Sequence, residues 1–170
     1  MSFAAYRKAA CIFVRISKDS VLDKSLPAWL DMQLKSLKIE PKRLCIQVTE
    51  DLATQYVKQT KELSEQLQKL GFRFAIEHFG TGRDPLRLLA DIGMNFIKVD
   101  GSLMQGLSTN QLQQQRVKGL VEAAKRKGVE TVAERVEDAN TMAVLWQLGI
   151  EFIQGYFVNA PEEVTMSSER

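Results

Sequence analysis

Short apolar segments alternate with amphipathic helical segments along this chain, and this alternation constrains the fold more than any other feature. The predicted strand starts lie roughly 20 to 35 residues apart, which is the spacing of β-α-β units. Apolar strands between amphipathic helices are typical of a parallel sheet covered by helices. We therefore predict strands at residues 11–16, 44–50, 72–78, 96–100, 131–136 and 151–158, helices at 23–38, 51–70, 85–91, 109–127 and 138–148, and a short helix end at 3–10.

Two α/β architectures fit this order of elements: an open doubly wound sheet and part of a (β/α) barrel. A complete eight-fold barrel takes about 250 residues. The chain has 170 residues, and its six predicted strands leave it about two units short of closure. Periodicity alone leaves both architectures open.

Composition is that of an ordinary globular protein, with 45% hydrophobic and 26% charged residues. A net charge of +2 gives no reason to expect nucleic-acid or membrane binding through bulk charge. Cys11 and Cys45 match no metal-ligand spacing and are interpreted as buried thiols of a reducing compartment. No apolar run approaches the roughly 20 residues of a membrane span, and the first residues lack a signal-peptide pattern. We therefore expect a cytoplasmic protein.

The stretch FRFAIEHFGTGRDPLRLL, residues 72–89, is predicted to be a strand, a glycine-bearing loop and a helix. Phenylalanine and isoleucine alternate with Arg73 and Ala75, which favours a strand packed mainly on one face. Asp84 is the predicted N-cap of the following helix, with Pro85 at its first position. The strand ends in Glu77 and His78, so two ionisable side chains precede the loop.

Polar or ionisable side chains close every predicted strand. In a parallel α/β fold, the carboxyl ends of the strands converge on one face, and that face carries the chemistry. Carboxylates beside a lysine suit a divalent metal or a phosphate-bearing ligand. The strand-end residues are Arg15, Gln47 with Glu50, Glu77 with His78, Lys98 with Asp100, Glu134 with Glu137, and Gln154.

Five short motifs occur in the order found in EAL domains: VTE, HFGTG, FIKVD, VAERVE and FIQGYF. The chain resembles this family from Val14 to Pro161. EAL domains are bacterial proteins that hydrolyse or bind cyclic di-GMP on a modified TIM barrel. The resemblance therefore implies the barrel rather than the open sheet, with about six of the eight βα units. It also implies that the first two strands, one of which ends in the Glu-Ala-Leu signature, have no counterpart here.

Several family metal-ligand positions are changed in this chain. The Asn-Leu-Ser motif is Arg15-Ile16-Ser17, so a cation replaces an amide ligand. Gln47 replaces the first carboxylate of Glu-x-Thr-Glu, and Glu77-His78 replaces an Asp-Asp pair. We therefore expect no bound metal, since a permanent charge at Arg15 repels a cation. Because hydrolysis needs metal-activated hydroxide, we also expect that the chain is not an enzyme.

The resemblance also assigns the remaining residues of the motifs. Glu50, Glu77, His78, Lys98 and Glu134 are predicted to be vestiges of the catalytic site. Cyclic di-GMP is the predicted ligand, without a cofactor. The predicted ligand-binding residues are Arg15, Asp100, Val136, Glu137 and Gln154.

Segments such as PAWLDMQLK resemble the EAL domains of FimX-type regulators of type IV pili. That resemblance implies an inactive cyclic di-GMP receptor in twitching motility, a PilZ-domain protein as its partner, and a place at the cell pole. In this interpretation the chain neither inserts into membranes nor binds nucleic acid. A partial EAL-like domain is expected at residues 1–162, followed by a polar tail at 163–170. An active metal-dependent phosphodiesterase and a nucleotide-independent scaffold are the alternatives.

Overall fold

The structure is a computed structural model that describes residues 11–155 of the chain. Its centre is a sheet of six parallel strands whose spatial order follows their order in the sequence. The predicted short helix at residues 3–10, the last three residues of the predicted strand at 151–158 and the predicted tail lie outside the described residues. The strands are β1 (Ile12–Arg15), β2 (Leu44–Thr49), β3 (Arg73–Phe79), β4 (Phe96–Val99), β5 (Glu130–Ala133) and β6 (Phe152–Ile153).

Seven α-helices in the described residues connect these strands and cover one face of the sheet. Short 3-10 turns precede β2, at Pro41–Arg43, and follow β4, at Gly101–Leu103. The helices are α1 (Lys18–Leu22), α2 (Leu26–Ser36), α3 (Glu50–Gln55), α4 (Val57–Lys69), α5 (Pro85–Asp91), α6 (Gln111–Arg126) and α7 (Ala139–Leu148).

The sheet curls into a half-barrel, which confirms the barrel and contradicts the open doubly wound alternative. Each strand pairs with its sequence neighbour, and no pairing joins β1 to β6 among residues 11–155. The larger hydrophobic core lies between the outer face and the helices, and it includes the fully buried Phe74 and Leu67. A smaller apolar cluster lines the inner face, formed by Cys45, Ala75, Phe96 and Val132 with Cys11 and Phe13 packed against it.

Side-chain caps start the helices that follow the strand ends. The Asp84 carboxylate accepts a hydrogen bond from the Arg87 amide at 3.1 Å, and Pro85 opens α5 as predicted. Asp138 caps α7 in the same way through the Thr141 amide at 2.7 Å. These caps fix where each helix begins, so they also fix the length of the loops that carry the strand-end residues.

Two features of the predicted elements were wrong in detail. The single helix predicted at 51–70 is two helices, α3 and α4, separated at Tyr56, whose φ of −126° and ψ of 50° are not helical. Strand β3 is buried on both faces rather than on one, since Ala75 on the inner face is as inaccessible as Phe74 on the outer face. The second face is covered because the inner cluster packs within the curl of the sheet.

Both cysteines are free thiols. Cys45 is fully buried and Cys11 is half-buried. Within residues 11–155, no helix is both long enough and apolar enough to cross a bilayer.

Candidate functional site

A layer of polar side chains lies on the inner face of the half-barrel at the carboxyl ends of its strands. Alternation along β2 to β4 puts Cys45, Ala75 and Phe96 on the inner face, and it puts Gln47, Glu77 and Lys98 two residues further on. The polar layer therefore rests directly on the inner apolar cluster. The convergence of strand ends expected from the sequence is present in the structure.

Glu77 is the most enclosed carboxylate of this layer, with 3% of its surface exposed. Arg15 forms an ion pair with its Oε1 atom through Nε, and Gln47 donates from Nε2 to Oε2 at 2.9 Å. The hydrogen bond to Glu77 raises the pKa of Arg15 further above its ordinary value. A buried charge is tolerated where it is paired and hydrogen-bonded, so Arg15 and Gln47 together stabilise the Glu77 carboxylate.

His78 bridges two carboxylates that lie just after β4 and β5. Its Nδ1 atom lies 3.0 Å from Asp100 Oδ2 and 3.1 Å from Glu134 Oε2, while its Nε2 atom lies 3.4 Å from an Arg15 nitrogen. A proton on Nδ1 satisfies this arrangement, because Nδ1 then donates to the carboxylates and Nε2 accepts from Arg15.

The backbone at His78 explains why it joins Glu77 in the site. The pairing of β3 with β4 shifts register between Ile76 and Phe79, and His78 has a φ of +54°. Consecutive strand residues ordinarily point to opposite faces. This bulge lets two consecutive side chains, Glu77 and His78, contact partners of the same polar layer, and histidine is among the residues that tolerate a positive φ.

Lys98 rises from β4 into the same layer. Its Nζ atom lies 4.0 Å from the centre of the Phe13 ring and donates to Gln154 Oε1 at 3.4 Å. Burial lowers the pKa of Lys98, and the facing carboxylates of Glu134 and Glu77 oppose that shift. The contact with Phe13 is a cation–π interaction, and the sequence analysis did not identify Phe13 as part of the site.

The pKa values of two carboxyl groups in the layer are shifted in opposite directions. Burial raises the pKa of Glu134, and nearby His78 acts against it. Partial burial also acts to raise the pKa of Asp100, but hydrogen bonds from Ser102 together with His78 outweigh it and hold that pKa below its ordinary value. The backbone N–H of Ser102 donates to Asp100 Oδ1 at 2.8 Å.

Glu50 lies at the start of α3 and has a different role from the cluster around His78. Its buried carboxylate accepts hydrogen bonds from the backbone N–H groups of Gly80 and Gly82, one through each oxygen. Arg116 of α6, which sequence reasoning missed, donates to the Gly80 carbonyl at 2.7 Å. These contacts hold the loop after β3 from both sides.

Val136 and Glu137 are the predicted ligand residues that the structure separates from the cluster. The Val136 side chain is fully buried, and its backbone N–H donates to the Gln154 carbonyl at 3.1 Å. Glu137 is exposed and lines a separate small pocket with Arg135 and Asp138. Any contact from Val136 to a ligand would therefore come from its backbone.

The inner face below the polar layer forms an open pocket of about 550 Å³. Aromatic rings of Phe13, Phe96 and Phe152 line it, and its polar lining includes Lys98 and Gln154. Phe96 contacts both other rings edge-on, at centroid distances of 5.2 and 6.4 Å.

One group of side chains in residues 11–155 has the composition and spacing of a metal site. Ligand atoms of His78, Asp100 and Glu134 all lie within 4.8 Å of one another. Imidazole and carboxylate groups are both ligands of divalent cations. The residues present therefore fit one divalent cation. This geometry argues against the expectation that the site takes no metal.

Fold and site together define a parallel α/β half-barrel with its polar cluster at the carboxyl ends of the strands. The chain matches the EAL domain over residues 2–161, and it belongs to the EAL domain family. This finding confirms the resemblance drawn from the five motifs.

Two curated relatives cover nearly the whole chain. The cyclic di-GMP phosphodiesterase PdeB of Shewanella oneidensis is 29% identical over 94% of this chain, and PdeF of Escherichia coli, also a cyclic di-GMP phosphodiesterase, is 32% identical over 88%. The chain spans 19% and 20% of the length of these two proteins.

Solved EAL structures superpose closely on the described fold. The FimX EAL domain of Pseudomonas aeruginosa, solved bound to cyclic di-GMP, shares 36% identity with a TM-score of 0.85, covering 89% of this chain and 62% of that one. Klebsiella pneumoniae BlrP1, solved as a complex with manganese and cyclic di-GMP, shares 25% identity with a TM-score of 0.82, covering 90% of this chain and 39% of that one.

The relatives contradict the expectation that this chain is not an enzyme. That expectation followed from Arg15, Gln47, Glu77 and His78 at positions where the family motifs place metal ligands. PdeB and PdeF, which align with most of the chain, are both named as phosphodiesterases. Loss of individual motif residues was therefore too weak an argument, since the side chains of His78, Asp100 and Glu134 still have the spacing of a site for one divalent cation.

Proposed function

We propose that this domain binds cyclic di-GMP at the polar layer of the half-barrel. The observation that carries the proposal is the 36% identity and close superposition with a FimX EAL domain solved with that ligand. Cyclic di-GMP has two phosphates and two guanines. Arg15, whose side chain is 57% exposed, offers a guanidinium suited to phosphate, and the exposed Gln154 offers an amide suited to a guanine edge.

Calorimetric titration of cyclic di-GMP tests this proposal. The titration uses this chain and also a longer chain that carries a whole EAL domain. The longer chain is needed because this chain aligns with 62% of the FimX EAL chain. Arg15→Ala and Gln154→Ala are expected to weaken binding at least tenfold, since each removes a direct polar contact. Arg126→Ala is the matched control, because Arg126 is an exposed residue that ends α6. No heat of binding from the longer chain would overturn the proposal.

Hydrolysis of cyclic di-GMP is the second candidate function, and the group formed by His78, Asp100 and Glu134 favours it. These three residues would hold one divalent cation, which supplies Lewis-acid polarisation of a phosphoryl oxygen and acidifies bound water. Turnover to the linear dinucleotide in the presence of Mn²⁺ or Mg²⁺ tests this function. Glu134→Ala is expected to abolish that turnover, and a variant that retained full activity would refute this role for Glu134.

A PilZ-domain partner is proposed for the same domain on the strength of its likeness to FimX EAL domains. In this proposal the domain passes the nucleotide signal to a type IV pilus and twitching system, from the cytoplasm and at the cell pole. Pull-down of a PilZ-domain protein with and without cyclic di-GMP tests the partnership. Capture that is equal in both conditions would support the nucleotide-independent scaffold instead. A fluorescent fusion that is diffuse in the cell would contradict the polar location.

A further inference from the structure

His78 gives the candidate cation site a ligand chemistry that carboxylates alone would not. We propose that His78, Asp100 and Glu134 bind one borderline transition-metal ion, such as Zn²⁺, Co²⁺ or Ni²⁺, in preference to Mg²⁺, and that Arg15 opposes its binding. This metal preference rests on the proposed metal-dependent hydrolysis, because it concerns the same three side chains. It is tested on the protein without nucleotide, so that a failure of metal selectivity and a failure of turnover are separate results.

The distances among the three side chains suit a small ion. The Nδ1 atom of His78 lies 3.0 Å from Asp100 Oδ2 and 3.1 Å from Glu134 Oε2. Ligands at about 2.1 Å from a metal, separated by angles between octahedral and tetrahedral, lie about 3.0 to 3.4 Å apart. Both distances from His78 already fall in that range, so the imidazole needs little movement to serve as a ligand.

The identity of the donor atoms sets the expected selectivity. Imidazole nitrogen suits Zn²⁺, Co²⁺ and Ni²⁺, whereas Mg²⁺ prefers oxygen ligands in near-ideal octahedral geometry. The charge of the layer also favours a cation, since three carboxylates, Glu77, Asp100 and Glu134, face two cations, Arg15 and Lys98. A dication can therefore bind here without adding to an existing excess of positive charge.

The buried side chain of Gln47 has an oxygen atom without a hydrogen-bond donor in the described residues. Gln47 is 7% exposed and donates its amide to Glu77, which leaves its Oε1 atom without a hydrogen-bond donor among residues 11–155. A buried acceptor without a donor is costly. Water bound to a metal in the polar layer is a donor that could satisfy Gln47.

Arg15 opposes the metal through the tautomer of His78. Without metal, the proton on Nδ1 faces two carboxylates, and Nε2 accepts from Arg15 at 3.4 Å. Binding of a metal at Nδ1 moves the imidazole proton to Nε2, so that two donors then face each other. Arg15 must therefore turn away from His78 when the metal binds, and its positive charge adds repulsion.

The chain is well suited to a direct test because His78 is its only histidine. Zn²⁺ and Mg²⁺ are titrated separately into protein without a polyhistidine tag, followed by calorimetry and by the imidazole nitrogen signals in NMR. We expect one equivalent of Zn²⁺ to shift the His78 signals and Mg²⁺ to leave them unchanged. Co²⁺ should give visible absorption without a thiolate charge-transfer band, which separates this site from Cys11 and Cys45.

Three variants sharpen the test. His78→Asn and His78→Asp both suit a positive φ, so they preserve the bulge while removing the imidazole. We expect His78→Asn to weaken Zn²⁺ binding at least tenfold, and His78→Asp to lower the ratio of Zn²⁺ to Mg²⁺ affinity by about tenfold or more. Arg15→Gln keeps a donor for Glu77 but removes the charge, and it should strengthen Zn²⁺ binding.

Any of three results would overturn the inference. These are Zn²⁺ affinity unaffected by His78→Asn, Mg²⁺ bound as tightly as Zn²⁺, or Arg15→Gln leaving Zn²⁺ affinity unchanged or lower. Circular dichroism checks that each variant is folded. If the variants do not fold, the unmodified protein decides the matter, because His78 signals that stay fixed in Zn²⁺ refute the site.

Discussion

Replacing Glu50 by glutamine should loosen the loop after β3 and destabilise the whole domain. Each oxygen of the buried Glu50 carboxylate accepts one backbone N–H, from Gly80 or Gly82. A glutamine side chain keeps one acceptor and presents its NH₂ group to the other amide. One charge-assisted hydrogen bond is lost, at about 2 kcal/mol, and the other becomes neutral, at about 1 kcal/mol.

The expected loss for Glu50→Gln is therefore about 3 kcal/mol in the free energy of unfolding, measured by urea denaturation. Asp51→Asn is the matched control, because Asp51 occupies the same first turn of α3 but is exposed and contacts Gln55 rather than the loop. That control should cost about 0.3 to 1 kcal/mol.

Hydrogen exchange tests the location of the effect. The Gly80 and Gly82 amides should exchange faster in Glu50→Gln than in the unmodified protein, while those of the Asp51→Asn variant should not change. Equal stability of the two variants within about 0.5 kcal/mol, together with unchanged exchange at both glycines, would refute the reasoning.

Three further predictions concern other parts of the fold. Gly80→Ala should destabilise the domain by roughly 1–3 kcal/mol in urea unfolding, because φ is +100° and the new Cβ would lie 2.7 Å from Leu120 Cδ1. Phe74→Ala should cost about 3 to 5 kcal/mol in the same assay, since the ring is fully buried. Asp138→Ala should lower the thermal midpoint at neutral pH by removing the cap on Thr141. Hydrogen bonds from Thr141 lower the pKa of Asp138, so its stabilisation is present above about pH 4, and the difference from the unmodified protein should shrink as pH falls below that value.

Regular features of the fold were predictable because they follow from short-range chemistry. Asp84 and Pro85 specify a helix start by themselves, and the structure begins α5 there. The break at Tyr56 was not predictable in this way, because no glycine or proline marks it. Its ring lies under the Lys18 ammonium group of α1, 5.3 Å from Nζ to the ring centre, and that contact depends on distant parts of the chain meeting.

The site was predictable as a gathering of strand ends but not in its internal pairings. Parallel topology alone brings Glu77, Lys98 and Glu134 to one edge. The separate role of Glu50 depends on which way the first turn of α3 faces, and sequence does not specify this. The place of His78 depends on a bulge with positive φ, since an unbroken strand would turn it toward the opposite face.

That bulge has a consequence for how the sequence can change. Because it absorbs one residue of β3, the chain before Glu77 and the chain after His78 keep separate registers with their neighbours. Deleting His78 would remove the bridge but keep Phe79 opposite Val99 and in the core, because a strand without the extra residue alternates to the same side at that point. Deletion or substitution of His78 would therefore alter the binding chemistry and leave the core packing of β3 intact.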